Sequence, residues 1–393
     1  MDVYATRIQK LQKKMKRQQL NAFIITQNVD LYYLTGSMQM GCLVVPDEGD
    51  AVYYVKKSVV RAKEEANVKV EELGSYRALA QRIQQTFPHV FSDKEYTLAM
   101  EFDVLPVQWF QRYQNMFPEA HWVDGSNLIR QVRMIKDETE IKAIKKAAAA
   151  VDVALQTAVS KIKEGTTEIQ LLTWIETALR EHGHTGYMRM RAYNQELVIG
   201  MVGAGSGSAT PSYFDGPAGG KGITPAFPLN ASTKTIKKNE PILLDLGCNV
   251  DGYVIDQTRM AVIGELSDPL QHAYQTAVHI LREVEKQLRP GTICEHLYTQ
   301  SLQMAEEAGL SHHFMGYGQD QAKFLGHGIG LEMDELPVLA KGFEVALEPG
   351  MVIAIEPKFT FPEQGVVGIE NTYLITETGF EVLSISDEPL IQI

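Results

Sequence analysis

Four acidic residues stand inside apolar runs, where an acid needs a chemical reason. Asp245 closes Ile242-Leu243-Leu244, and Asp256 sits in YVIDQTRM just past a turn-like Asp251-Gly252. Glu356 follows VIAI, and Glu370 lies in VGIENTYLI. His327 lies in FLGHGIG, where glycines on both sides allow close backbone approach. Taken singly, each acid has an ordinary explanation: exposure, capping, or pairing with a base such as Arg259. Taken together, four carboxylates in strand-like segments would repel one another and be costly to bury. Two divalent cations would remove that cost. One imidazole and four carboxylates form a mostly hard ligand set, suited to Mn, Co, Fe or Zn rather than copper.

The elements that must position these residues are readable from periodicity. PILLDLGCNV and YVIDQTRMAV read as two strands joined by a short turn, so two acids can face one cavity. VALEPGMVIAIEPKF, VVGIENTYLIT and FEVLSI read as further short strands. A long helix begins near Lys136, with Asp137 and Glu140 at capping-box spacing and Gly165 as its stop. TTEIQLLTWIETALREHG reads as a second helix, capped at Thr166 or Thr167 and stopped by Gly183. A third covers PLQHAYQTAVHILREVEKQLR, and a fourth follows Gly291, with Thr292 and Glu295 spaced for another capping box. Between the first two helices and the first acidic strand runs a loop rich in glycine and proline, containing Tyr213, Phe214, Asp215 and Phe227. Loops of that length inside a compact domain are often functional.

Upstream, residues 5–19 read as a helix with Ile8, Leu11 and Met15 on one face, and LNAFIIT, GCLVVP and AVYYVK as strands. The chain has 393 residues, more than one core usually supports, which predicts two domains; the boundary falls between residues 122 and 135, dividing the chain into a mixed α/β domain 1–127 and a second domain 128–393. The formal charge of −12 argues against a general nucleic-acid binder. No run of 18 apolar residues predicts a membrane span, and the amino-terminal stretch does not resemble a secretory signal. Cys42, Cys248 and Cys294 lie far apart, which fits a reducing compartment; the expected location is cytoplasmic. No Walker or dinucleotide-binding loop is present.

In order and spacing, DLG…DGYVIDQTR, FLGHGIGLE, EPGMVIAIEP and GIENTYLIT resemble peptidase family M24. These are metallopeptidases of the pita-bread fold, with Xaa-Pro dipeptidases and aminopeptidases P among them. The first 127 residues resemble the creatinase-type amino-terminal domain that accompanies them. The resemblance implies a dinuclear centre in which Asp256 and Glu370 bridge two ions, manganese favoured. Asp245 would chelate one ion, while His327 and Glu356 complete the other. It further implies hydrolysis of Xaa-Pro bonds in dipeptides or short peptides by metal-activated water, Glu356 as proton shuttle, and a homodimer. Two departures bear on substrate. Asp334 stands where the family carries a substrate-facing histidine, and the long loop lacks the family's other active-site histidine. Asp334, Asp215, Tyr213 and Phe214 are therefore the candidate substrate contacts. Hydrolysis of a small non-peptide C–N amide bond is the alternative.

Overall fold

The computed structural model describes residues 2–92 and 95–393. The chain divides into two compact units, Met1–Arg133 and Met134–Ile393.

The first unit is built on a six-stranded mixed sheet. Its strands are β1 (Ala22–Ile25), β2 (Gly41–Pro46), β3 (Val52–Val55), β4 (Lys69–Glu72), β5 (Tyr96–Met100) and β6 (Ala120–Asp124), in the order β4-β3-β2-β1-β5-β6. Around it lie α1 (Val3–Arg17), α2 (Asn28–Thr35), α3 (Val59–Glu65), α4 (Tyr76–Thr86), α5 (Val107–Met116) and α6 (Ser126–Arg133). The expected first helix is α1: Asp2 caps it, and Ile8, Leu11 and Met15 are buried. Gly36, at φ +85°, supplies the left-handed residue that ends α2. A buried Arg133–Asp30 ion pair, 2.7 Å long, ties α6 to α2.

The second unit opens with α7 (Glu138–Lys161) and α8 (Glu168–Glu181). The first begins in the capping box read from sequence, Asp137 with Glu140; of the two caps open for the second, Thr167 is the one used, and it forms a capping box with Gln170. One sheet contains β7 (Val202–Ala204), β8 (Pro241–Val250) and β9 (Tyr253–Val262). All twenty residues of the β8–β9 hairpin strands are buried, and α7 packs on them. Their turn is Asp251-Gly252, both at positive φ, the geometry of a tight hairpin. Two helices follow, α9 (Asp268–Glu285) and α10 (Cys294–Glu307).

The remaining strands are β10 (Phe324–Gly328), β11 (Glu335–Ala340), β12 (Val352–Ile355), β13 (Lys358–Phe361), β14 (Gly365–Gly368), β15 (Asn371–Ile375), β16 (Phe380–Val382) and β17 (Ile391–Gln392). Five form the sheet β11-β10-β12-β15-β16, β13 and β14 form a hairpin, and β17 joins β9 at the edge of the β7–β9 sheet. Helix α10 packs on β10 and β11, and α9 on β13 and β14.

The capping box expected at Thr292 does not form. Ile293 occupies the cap position of α10 without a side-chain bond, and the Thr292 hydroxyl donates to the Gln287 carbonyl instead. The first amides of α10 are taken by backbone: Cys294 N donates to Val345 O and Glu295 N to Phe343 O. A neighbouring chain segment has supplied what a cap would otherwise provide.

Candidate metal centre

Asp245 and Asp256 come from the β8–β9 hairpin. Its register pairs Asp245 with Thr258 and Gly247 with Asp256, so strand alternation puts both acids and Thr258 on one face. His327 lies in β10, opposite Ala354 of β12 and Val338 of β11. A Cβ at Gly326 would stand 2.1 Å from the Ala354 carbonyl oxygen, so only glycine lets β10 lie this close to β12. Glu356 follows β12 and Glu370 precedes β15, just beyond the registered pair Ile355–Asn371. An isolated bridge between Thr258 and Glu370 joins the hairpin to this sheet.

All five side chains converge, each 7% exposed or less. Asp256, His327 and Glu370 present ligand atoms within 4.8 Å of one another, and so do Asp245, Glu356 and Glu370. These are two candidate metal-binding triads that share Glu370, the arrangement of a dinuclear divalent-metal site. His327 Nδ1 faces two carbonyl oxygens, Met333 at 3.0 Å and Gly328 at 3.2 Å. Both are acceptors, so Nδ1 carries the proton and Nε2 keeps its lone pair for a metal. Glu370 Oε1 is buried without a hydrogen-bond partner, while Oε2 accepts from the Thr258 hydroxyl at 2.8 Å. A buried carboxylate oxygen left open beside an unprotonated imidazole nitrogen fits a divalent ion.

Sequence reasoning missed one member of the centre. Lys358 is fully buried and aims its ammonium at Glu356 Oε2 (2.5 Å), Asp245 Oδ2 (3.1 Å) and Glu370 Oε2 (3.1 Å). The signal was present: Lys358 is two residues from Glu356, the strand spacing that returns a side chain to the same face.

Burial pushes Asp245 up to about 6 and Glu356 up to about 7, with Lys358 opposing the rise in both. Asp256 is also raised well above the usual carboxylate range, by burial and by Glu370 and Asp245. Burial pulls His327 down, but Asp334, Glu356 and Glu370 outweigh it and the net shift is upward. For Lys358 too the surrounding carboxylates overcome burial and hold the ammonium charged.

Arg259 does not pair with the site acids. Its guanidinium donates five bonds of 2.7–2.9 Å, to the carbonyls of Thr258, Glu370, Ser386 and Asp387 and to the Asn371 side chain.

A small cavity of about 40 Å³ adjoins Asp245, Asp256, His327 and Glu356. Phe214, Asp215 and Asp334 line it; Tyr213 is not among its lining residues and is largely exposed. Asp334 Oδ1 lies 3.4 Å from His327 Nδ1, and its side chain is 46% exposed. Its neighbours in sequence point elsewhere: Glu335 pairs with Lys136 at 2.9 Å and Glu332 with Arg191 at 3.6 Å, both buried.

Residues 142–377 match the family described as metallopeptidase family M24, and residues 7–135 match the creatinase/prolidase N-terminal domain. The chain belongs to metallopeptidase family M24. This M24 chain is 27% identical to the Xaa-Pro dipeptidase of Pyrococcus horikoshii over 393 residues, the full length of both. The crystal structure of the prolidase from that organism superposes with a TM-score of 0.79 at 26% identity, covering 98% of this chain and 100% of the other. A Bacillus anthracis Xaa-Pro dipeptidase shares the fold with a TM-score of 0.83 at 24% identity, covering 99% and 100%. The M24 match and the paired triads identify a metal-dependent hydrolase. No helix among the described residues is long and apolar enough to cross a membrane.

Proposed function

We propose that this M24 hydrolase cleaves the Xaa-Pro bond of dipeptides or short peptides, using divalent ions, manganese favoured, held by Asp245, Asp256, His327, Glu356 and Glu370. The observation that carries this reading is the pair of triads sharing Glu370 beside the cavity lined by Phe214, Asp215 and Asp334. When bound, divalent ions act as Lewis acids, lowering the pKa of water and polarising the scissile carbonyl. Glu356 then serves as the proton carrier. Buried in the centre beside the other ligands, it takes a proton from the attacking water and returns it to the leaving nitrogen. His327, fixed by its Nδ1 bond to the Met333 carbonyl, keeps Nε2 aimed into the centre. Asp334 and Asp215 give the cavity wall an acidic character suited to the ammonium of a dipeptide. The same reading places the enzyme in the cytoplasm as a homodimer.

Hydrolysis of a small non-peptide C–N amide is the second reading. The cavity size favours it, since about 40 Å³ holds only a few waters and a dipeptide would need the Phe214–Ala218 wall to yield.

The test is mass-spectrometric turnover by the Mn-loaded protein of paired Xaa-Pro and Xaa-Ala dipeptides and an Xaa-Pro-Yaa tripeptide. Selective cleavage of Xaa-Pro dipeptides is expected. Cleavage of the tripeptide alone would move the assignment to an aminopeptidase P. No cleavage by protein shown to hold metal would move it to a small amide.

A further inference from the structure

One of the two triads already surrounds a cation. The three residues of that triad, Asp245, Glu356 and Glu370, are the ones whose carboxylates accept from Lys358 Nζ, at 3.1, 2.5 and 3.1 Å. An ion bound to those atoms would lie roughly 2.0–2.2 Å from each. It would then share three carboxylates with the ammonium and face it across a short gap. Two positive charges that close in a buried site repel strongly.

The lysine reaches this position by construction. It opens β13 directly opposite Gly368 of β14, and a Cβ at Gly368 would stand 2.6 Å from Lys358 Cγ. Its carbonyl accepts from Met315 N at 2.8 Å, which anchors the backbone below the stem. The other triad is different in kind: it holds an imidazole, His327, and Glu370, whose Oε1 is buried without a hydrogen-bond partner. Set against four carboxylates, the ammonium leaves three net negative charges, and a single divalent ion reduces these to one.

We propose that Lys358 is a resident counter-cation of this centre. One divalent ion loads tightly on the His327 side of the centre, and a second enters beside Asp245 only by expelling the lysine ammonium that Asp245, Glu356 and Glu370 hold. The proposal rests on the metallohydrolase reading above, and deepens it by ranking the two ion positions.

The experiment is manganese binding rather than turnover. Chelator-stripped protein is titrated with Mn(II) by calorimetry, metal retained after desalting is counted by mass spectrometry, and the Mn signal is followed by electron paramagnetic resonance. The wild type is expected to retain one equivalent and to bind a second at least roughly 100-fold more weakly. Lys358→Met is expected to bind two equivalents within about tenfold of each other, with a spin-coupled dinuclear signal. Lys358→Arg, which keeps the charge, is expected to retain one equivalent. The wild-type titration decides even if a variant does not fold: two equally tight equivalents in the wild type overturn the proposal. Unchanged stoichiometry in a folded Lys358→Met does the same. Two tight ions with full Xaa-Pro turnover would remove the role of Lys358 and leave the hydrolase reading standing, whereas no metal in any form would overturn both.

Discussion

Thr258→Val tests whether the hairpin positions the shared ligand. The hydroxyl donates 2.8 Å to Glu370 Oε2, and Thr258 is fully buried, so no water replaces the lost donor. Valine keeps the shape and the β-branch and removes the hydroxyl, which also hydrogen-bonds the Asp245 side chain. Hydrogen bonds to charged groups are worth roughly 1.5–3 kcal/mol. Glu370 belongs to both triads, so loosening it weakens every ion the centre holds. If most of that bond serves to hold the carboxylate in its ligating orientation, the loss converts to about 10- to 100-fold in affinity. Loss of a bond that orients a metal ligand typically costs the same range. The assay is Mn(II) calorimetry on chelator-stripped protein, with a thermal melt to confirm folding. A folded Thr258→Val that binds manganese with wild-type affinity would refute the claim that this hydroxyl pre-orients Glu370.

Three further outcomes are expected. Arg259→Met strands the carbonyls of Glu370, Ser386 and Asp387, and should lower unfolding stability by at least about 3 kcal/mol in urea titrations; an unchanged midpoint would contradict this. In chelated protein, Asp245 at about 6 and Glu356 at about 7 stay protonated where the unfolded chain, at 3.8 and 4.5, has lost those protons. Their contribution is therefore present in acid and lost progressively from about pH 4 until pH has risen through about 6 and 7, so the metal-free melting temperature should fall across that window and saturating manganese should flatten the trend. Asp334→Asn should raise KM for dipeptides carrying a free amino terminus while leaving kcat near wild type, if its carboxylate receives that ammonium; equal KM values would refute that role.

The acids of the centre were legible because each interrupts an apolar strand, and a buried carboxylate needs a partner. The β8–β9 turn was legible in Asp251-Gly252, the start of α7 in its capping box, and the start of α8 in its threonine cap. Lys358 was not, for a physical reason. Lysine is among the residues least often buried, so KFTF reads as an ordinary strand with its charge outward. Its inward course depends on Gly368, ten residues on and visible as a partner only once the β13–β14 register is known. The cap of α10 failed for a related reason: the carbonyls of Phe343 and Val345 that replace Thr292 arrive from a distant segment. Spacing along the chain reports what a residue can do with near neighbours. It does not report what the fold brings from elsewhere.

The guanidinium of Arg259 sets a clock on the maturation of this enzyme. Its bonds reach forward 127 residues to Ser386 and 128 to Asp387, while also gripping the backbone of Glu370. At about 5–20 residues per second, a ribosome needs roughly 6–26 seconds to add that stretch after Arg259 itself. Until then the hairpin acids have been made, but the segment that locks Glu370 against them has not. The contacts that fix Glu370 are thus completed only well after the hairpin acids are made, and a nascent chain that has not yet reached Ser386 carries those acids without the guanidinium grip on the shared ligand.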